Sequence, residues 1–393
     1  MTILVYAQLG LWGFFLYGFG PVVPLLRDEQ GTTAAVASLH STGLAAGALI
    51  GASAFPWLAR RLGRGGVLWL ALGGVAGSVV VLCAFEVLPA TLGAAVLAST
   101  FGTMVVSGVN AALADHHGSG ATTAISEANA VAAGAGVVAP IVIGMSVSAG
   151  FGWRPGIAVV VGLIALVFVV GLSLRVRLPA VVASPVVVSG RRPLPRSYWL
   201  AWAMLSATGS VEVCLSLWAA DVLRSHAGMS PGAASATVAA IVGGMFAGRL
   251  VGSALSRRVA PVPLLLGALA ISVVGFAIFW VSAVAWIAAV GLMVLGVGNA
   301  MHYPLGISMA LAVADGRRDR ASAYLMYSGV IGFGISPVVL GWVADGVGPH
   351  RAFLLMPLFI AVAAVLAVRL RRALALGSLT AVAPASGRLR SEA

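Results

Sequence analysis

The sequence contains no lysine, and charged residues make up only 9% of its 393 positions. A soluble globular protein carries about 25% charged residues, because its surface has to face water. Without a lysine, the chain cannot form the P-loop that binds ATP in many pumps. The two cysteines, Cys83 and Cys214, both fall inside apolar runs, which is typical of small buried side chains. We therefore expect no disulfide, no metal site and no cofactor.

Hydrophobic residues make up 60% of the chain, and their runs predict an all-α integral membrane protein with twelve spans. A helix needs about 20 apolar residues to cross a bilayer. So little sequence is left for a soluble domain that we expect no enzyme and no catalytic residues. The predicted spans lie near residues 3–26, 34–58, 66–85, 91–113, 121–148, 154–174, 198–222, 232–256, 262–283, 286–313, 321–343 and 350–368.

The net charge of +12 comes from 23 arginines and 11 acidic residues, and in a soluble protein it would indicate nucleic-acid binding. Here the arginines lie mostly between spans. With both termini inside, the inner segments hold eighteen arginines and four acidic residues, and the outer loops hold four arginines and five acidic residues. This bias predicts a multi-pass protein of a bacterial cytoplasmic membrane with cytoplasmic N and C termini. Nucleic acid is not an expected partner.

Several residues recur at a constant offset of 197 positions, about half the chain length. The offset predicts two six-helix bundles in parallel arrangement, related by a pseudo-two-fold axis along the membrane normal. The expected units are 1–174, a cytoplasmic linker at 175–197, 198–372 and a cytoplasmic tail at 373–393. The recurring pairs are Arg60 with Arg257, Arg61 with Arg258, Gly47 with Gly244, Gly51 with Gly248, Pro140 with Pro337, Gly144 with Gly341, and Arg154 with Arg351.

The loop between the second and third spans carries Arg60, Arg61, Gly63 and Arg64, which match the end of the G-x-x-x-D-R-x-G-R signature. In this loop, and in the Gly-Trp-Arg sequence that opens the sixth span, the chain resembles the major facilitator superfamily. The resemblance extends over essentially the whole length of the chain. Arg60 stands where the signature has its Asp. Asn110 and the run from Gly248 look more like the fucose-permease-related branch. The resemblance implies a secondary transporter whose central cavity is lined by spans 1, 4, 7 and 10.

Glu212 lies near the middle of the seventh span, about 20 Å from its inner end at 1.5 Å per residue. An ionisable group within a bilayer costs ~2.5–3.5 kcal/mol on the insertion scale. A carboxyl at this depth has no inexpensive structural role. We therefore predict that Glu212 carries the coupling proton.

Polar residues also predict a substrate cavity. Asn299, His302 and Tyr303 share one helix face by their spacing, and Thr103 and Asn110 belong to a polar stripe on the fourth span. The resemblance implies that the two faces meet across the substrate path. Alternatively, His302 and Tyr303 satisfy the carbonyls that the following proline frees.

Glu127 and Arg249 are each about 10 Å from the predicted cytoplasmic face. The resemblance places the fifth span beside the eighth, so that these opposite charges would form a cytoplasmic gate. The rival interpretation is that Arg249 binds an anionic substrate, because a guanidinium matches carboxylate or phosphate.

The predicted function is secondary active, proton-coupled transport of a small polar organic solute by alternating access. The expected partners are this substrate, protons and the lipid bilayer, and the expected state is a monomer. One alternative is a proton antiporter that exports drugs or metabolites. Another is a membrane sensor that transports nothing.

Overall fold

The computed structural model describes residues 1–173, 193–314 and 317–382. The predicted linker and tail lie partly outside these ranges. Every regular element in the described ranges is helical. The helices are α1 (Thr2–Gln30), α2 (Ala34–Ala84), α3 (Leu88–His117), α4 (Ala121–Ser148), α5 (Trp153–Ser173), α6 (Arg196–Ser225), α7 (Pro231–Thr237), α8 (Ala239–Leu255), α9 (Pro261–Val281), α10 (Ala285–Asn299), α11 (His302–Ala312), α12 (Arg318–Gly329), α13 (Ser336–Val347), α14 (Pro349–Ala352) and α15 (Leu355–Val382).

Eleven helical stretches in the described part of the chain are long and apolar enough to cross a membrane. The longest is α2, whose 51 residues extend over about 76 Å at 1.5 Å per residue, roughly twice the length that one crossing requires. Its backbone leaves helical geometry at Gly63, where φ is 71° and ψ is 161°. This break coincides with the predicted boundary between the second and third spans.

Two predicted spans that read as continuous are interrupted. The first break lies at Val238, between α7 and α8, and the second lies at Ala300 and Met301, between α10 and α11. Pro304 falls in the first turn of α11. Backbone N–H groups in a first turn have no partner within the helix, so the missing N–H of proline costs no hydrogen bond there. A helix that starts at His302 therefore accommodates this proline better than one continuous helix would.

A π-helical segment, Val330–Ile335, separates α12 from α13. Pro337 lies in the first turn of α13. Because proline has no N–H, the carbonyl of Phe333, four residues earlier, lacks its usual helical donor. The hydroxyl of Ser41 on α2 donates to this carbonyl instead, and Thr42 donates to the Gly334 carbonyl at 2.6 Å.

The first half of the chain packs against the second half through α1 with α6, α2 with α13 and the π segment, and α4 with α7 and α8. Close approach depends on glycine at two of these contacts. A Cβ atom at Gly20 would collide with the Ser216 carbonyl, and one at Gly341 would collide with the backbone of Ala34. These contacts lie toward the end of the molecule at which α1 finishes, which we call the Asp28 end.

Candidate functional site

Glu212 lies sixteen residues into the 30-residue helix α6, and its side chain is partly exposed. Three groups from three other helices are within electrostatic reach of its carboxyl: Tyr17 on α1, Arg249 on α8 and Tyr303 on α11. We call these four residues the Glu212 site. It lies where α1 of the first half meets three helices of the second half.

Arg249 links the two halves at this site. Its guanidinium lies within electrostatic reach of the Tyr17 hydroxyl. The ring of Tyr17 lies over Gly136 on α4, where a Cβ atom would collide with it. Sequence reasoning missed Tyr17. The available signal was a tyrosine deep inside a span, because tyrosine in membrane helices is typical of the interfaces.

The predicted gate pair is separated in this conformation. Glu127 is exposed and accepts a hydrogen bond from the Tyr6 hydroxyl at 2.7 Å, within the first half. Arg249 points instead into the Glu212 site. The backbone positions of the two residues are similar in depth, but a long arginine side chain can reach well beyond the depth of its own backbone.

The predicted cavity face on the tenth span is divided. Asn299 and His302 are only 1% exposed. The His302 ring contacts Ser272 on α9 at 3.3 Å, and the Asn299 amide lies 3.9 Å from the Met245 sulfur on α8. Tyr303, in contrast, is 51% exposed and faces Glu212. Asn299 and His302 therefore pack inside the second half, and Tyr303, one residue beyond His302, projects about 100° away from it around α11.

Neither predicted residue of the fourth span joins the Glu212 site through a described contact. Thr103 on α3 packs at the close approach of α3 to Gly51 on α2. Asn110 is partly buried, and its Oδ1 has no hydrogen-bond partner among the described residues. A role for Asn110 in the cavity stays a prediction.

The predicted loop motif ties α2 to α3. Arg64 forms an ion pair with Asp115, near the end of α3. The guanidinium of Arg61 lies over the Trp57 ring at 4.4 Å, and Arg60 is exposed. The positive φ of Gly63 turns the chain between them.

The Asp28 end carries a reciprocal ion-pair cluster between the two halves, which sequence reasoning did not find. Arg27 on α1 makes two contacts with Asp221 on α6, at 2.6 and 3.1 Å. Asp28 on α1 accepts from Arg224 on α6 at 2.7 Å. Arg27 and Arg224 stand 197 positions apart, at equivalent positions of the repeat. At the same end, Asp345 accepts hydrogen bonds from the first two backbone N–H groups of α2, at 2.7 and 3.0 Å.

No curated relative matches the sequence. Among solved structures, a bacterial homolog of the human lysosomal transporter Spinster, inward-facing and occupied, gives a TM-score of 0.78 at 16% identity, covering 94% of this chain and 96% of that chain. A D-xylose-proton symporter gives 0.73 at 14% identity, with coverage of 94% and 96%. FucP in the outward conformation gives 0.60 at 16% identity, with coverage of 94% and 98%.

At such identities the structural likeness shows a shared fold. The match by sequence does not depend on this structural likeness. A family model described as Major Facilitator Superfamily matches residues 6–310 and, in a second match, residues 200–383. Together the two matches extend over nearly the whole chain. The protein belongs to the Major Facilitator Superfamily.

Proposed function

We propose that this protein is a proton-coupled secondary transporter that moves a small polar organic solute by alternating access. The observation that carries the proposal is the Glu212 site: a carboxyl and a guanidinium lie on different helices deep inside the molecule, at the seam between its halves. Charged groups at such depth are expensive and mark ion or substrate paths. A site at the seam of two rocking halves is reached alternately from each side.

The topology proposed with this function has twelve spans, of which α2 supplies two. The halves are residues 1–174 and 198–372, joined by a cytoplasmic linker at 175–197 and followed by a cytoplasmic tail at 373–393. Both termini face the cytoplasm and the protein is a monomer. The arginine bias between the spans supports this orientation. The Asp28 end then faces outward.

In this orientation the ion-pair cluster is an outer gate, closed in the conformation described here. The reciprocal pairs of Arg27 with Asp221 and of Asp28 with Arg224 hold α1 and α6 together. The cavity would therefore open toward the cytoplasm. We retain the proposal that Glu127 and Arg249 approach each other when the opposite, cytoplasmic end closes.

Glu212 is proposed to bind and release the proton. Its partial exposure gives water access to the carboxyl, and Arg249 lies within electrostatic reach of it. Tyr303, half exposed beside Glu212, is the residue of the predicted cavity set that is best placed to contact substrate.

The test uses purified protein in sealed vesicles, with sugars, organic acids and cationic dyes supplied with and without a pH gradient. A gradient should drive accumulation of one solute class, and Glu212→Gln should abolish that accumulation while substrate exchange without a gradient continues. The matched control is Glu86→Gln, which changes an exposed carboxyl outside the Glu212 site and outside the proposed gates.

Gradient-driven accumulation by Glu212→Gln at the parent's level would remove Glu212 as proton carrier. Export of dyes against an inward proton gradient would identify the antiporter alternative. No flux of any solute, from protein that is folded, would favour the sensor.

A further inference from the structure

The charge of Arg249 is incompletely compensated within the protein. Its side chain is partly exposed, and neither Arg249 nor Glu212 forms a direct ion pair within the ranges that the structure describes. The two groups interact only at longer range. Tyr17, which also interacts with the guanidinium, offers an uncharged hydroxyl group. A guanidinium this deep in a membrane protein needs a closer anionic partner than it has here.

We infer that Arg249 binds the substrate, and that the substrate is a small organic anion whose carboxylate or phosphate oxygens contact the guanidinium. This inference rests on the proposed function and adds the substrate class to it. The planar fork of arginine donates two parallel hydrogen bonds to such a group. Tyr17 adds a hydroxyl from the first half, so that the anion would contact both halves at once.

Anion binding at Arg249 also accounts for the presence of Glu212. We take Glu212 to be ionised in the empty site, so that one positive and one negative charge are present there. When an anion occupies Arg249, the Glu212 carboxylate loses its counter-charge and gains a negative neighbour, which favours its protonation. By linkage, protonation of Glu212 strengthens anion binding by the same factor.

The other groups that interact with Glu212 do not alter this balance. They are the phenols of Tyr17 and Tyr303, which are neutral near pH 7. The occupied site then holds Arg249 as a cation, a monoanionic substrate and a neutral Glu212. One proton therefore enters with each monoanion, and the transport step moves no net charge.

The experiment measures thermal stability of the full-length protein in detergent with matched probe pairs. The paired probes are acetate with acetamide, lactate with lactamide, and benzoate with benzamide, and methyl phosphate is added as an unpaired phosphate probe. We expect at least one acid to raise the melting temperature while its amide does not. Arg249→Gln should abolish this effect, and Arg249→Lys should weaken acid binding at least tenfold. Arg154→Gln, which removes an arginine paired with Glu29, is the matched control.

Proton uptake is measured in the same samples with a pH-sensitive dye in weak buffer. The parent should take up close to one proton per acid bound, and Glu212→Gln should bind the same acid with no proton uptake. The inference is overturned if no acid binds, if amides or sugars stabilise as well as acids, or if Arg249→Gln retains acid binding.

The two proposals can fail separately. If a pH gradient drives accumulation of a neutral solute and this accumulation depends on Glu212, proton coupling is supported and the anionic substrate class is wrong. If an acid binds at Arg249 without proton uptake, the anionic substrate class is supported and the proposal that Glu212 carries the coupled proton is wrong.

Discussion

The proposed outer gate leads to a quantitative prediction for Arg27. Its partner Asp221 has only 6% of its side chain exposed, and the two contacts between them are short. Removing one member of a buried pair costs about 3–5 kcal/mol when the remaining charge is left uncompensated. Asp221 keeps a second contact with Arg224 at 3.8 Å, so we expect the lower end of this range. The cost applies to the closed outer end, because opening lets water reach Asp221. At ~1.4 kcal/mol per factor of ten, Arg27→Ala should move the equilibrium toward the outward-open state by about 10²-fold.

The assay labels a single cysteine from outside. Cys83 and Cys214 are replaced by serine and alanine, and Ser216, which packs against Gly20 at the closed seam, becomes the only cysteine. Arg27→Ala should increase its labelling by an impermeant maleimide in cells. The double variant Arg27→Asp with Asp221→Arg keeps the attraction and should restore low labelling.

The matched control for this gate is Arg154→Ala. Arg154 pairs with Glu29 at 2.8 Å at the same end of the molecule, but both residues belong to the first half. Its loss should therefore leave the labelling of the cysteine at 216 unchanged. Parent-level labelling in folded Arg27→Ala, or an equal rise in Arg154→Ala, would refute the gate.

Two further predictions concern stability. Gly63→Ala should lower the free energy of unfolding by about 1–2 kcal/mol, seen as a lower melting temperature, because φ is +71° there; Gly77→Ala, in a helix with open space around its Cβ position, should not lower it. His302→Ala should also lower the melting temperature, because it opens a buried space beside Ser272. If His302→Ala instead loses substrate affinity without a lower melting temperature, the prediction that His302 lines the substrate cavity is supported.

The membrane fold was predictable because apolar runs and arginine positions report directly on the bilayer. A run of about 20 apolar residues has few alternatives to a spanning helix. The repeat offset was equally accessible, because Arg60 and Arg257, or Pro140 and Pro337, can be matched without a structure. The break at Gly63 also followed from the charged loop around it.

The contacts of the site were less predictable, because they depend on helix rotation and side-chain reach. Glu212 could be singled out by depth alone. The sequence predicts the depth of Arg249 in the membrane but not the direction of its side chain. Its interaction with Tyr17 can be predicted only if the contacting faces of α1 and α8 are known. His302 and Tyr303 are adjacent, yet one is buried in the second half and the other is exposed. The break at Ala300 and Met301 sets the rotation of α11, and this rotation determines which of the two side chains is buried.

The proline in α13 has an evolutionary consequence. Pro337 has no N–H to donate to the Phe333 carbonyl, and the Ser41 hydroxyl, 292 positions before Phe333, donates to this carbonyl instead. A buried carbonyl without a donor costs about 1–3 kcal/mol. A descendant that loses the hydroxyl at 41 is therefore under pressure to lose the proline at 337 as well, because an ordinary residue there restores the donor within the helix. Across related sequences, the hydroxyl and the proline should be inherited and lost together.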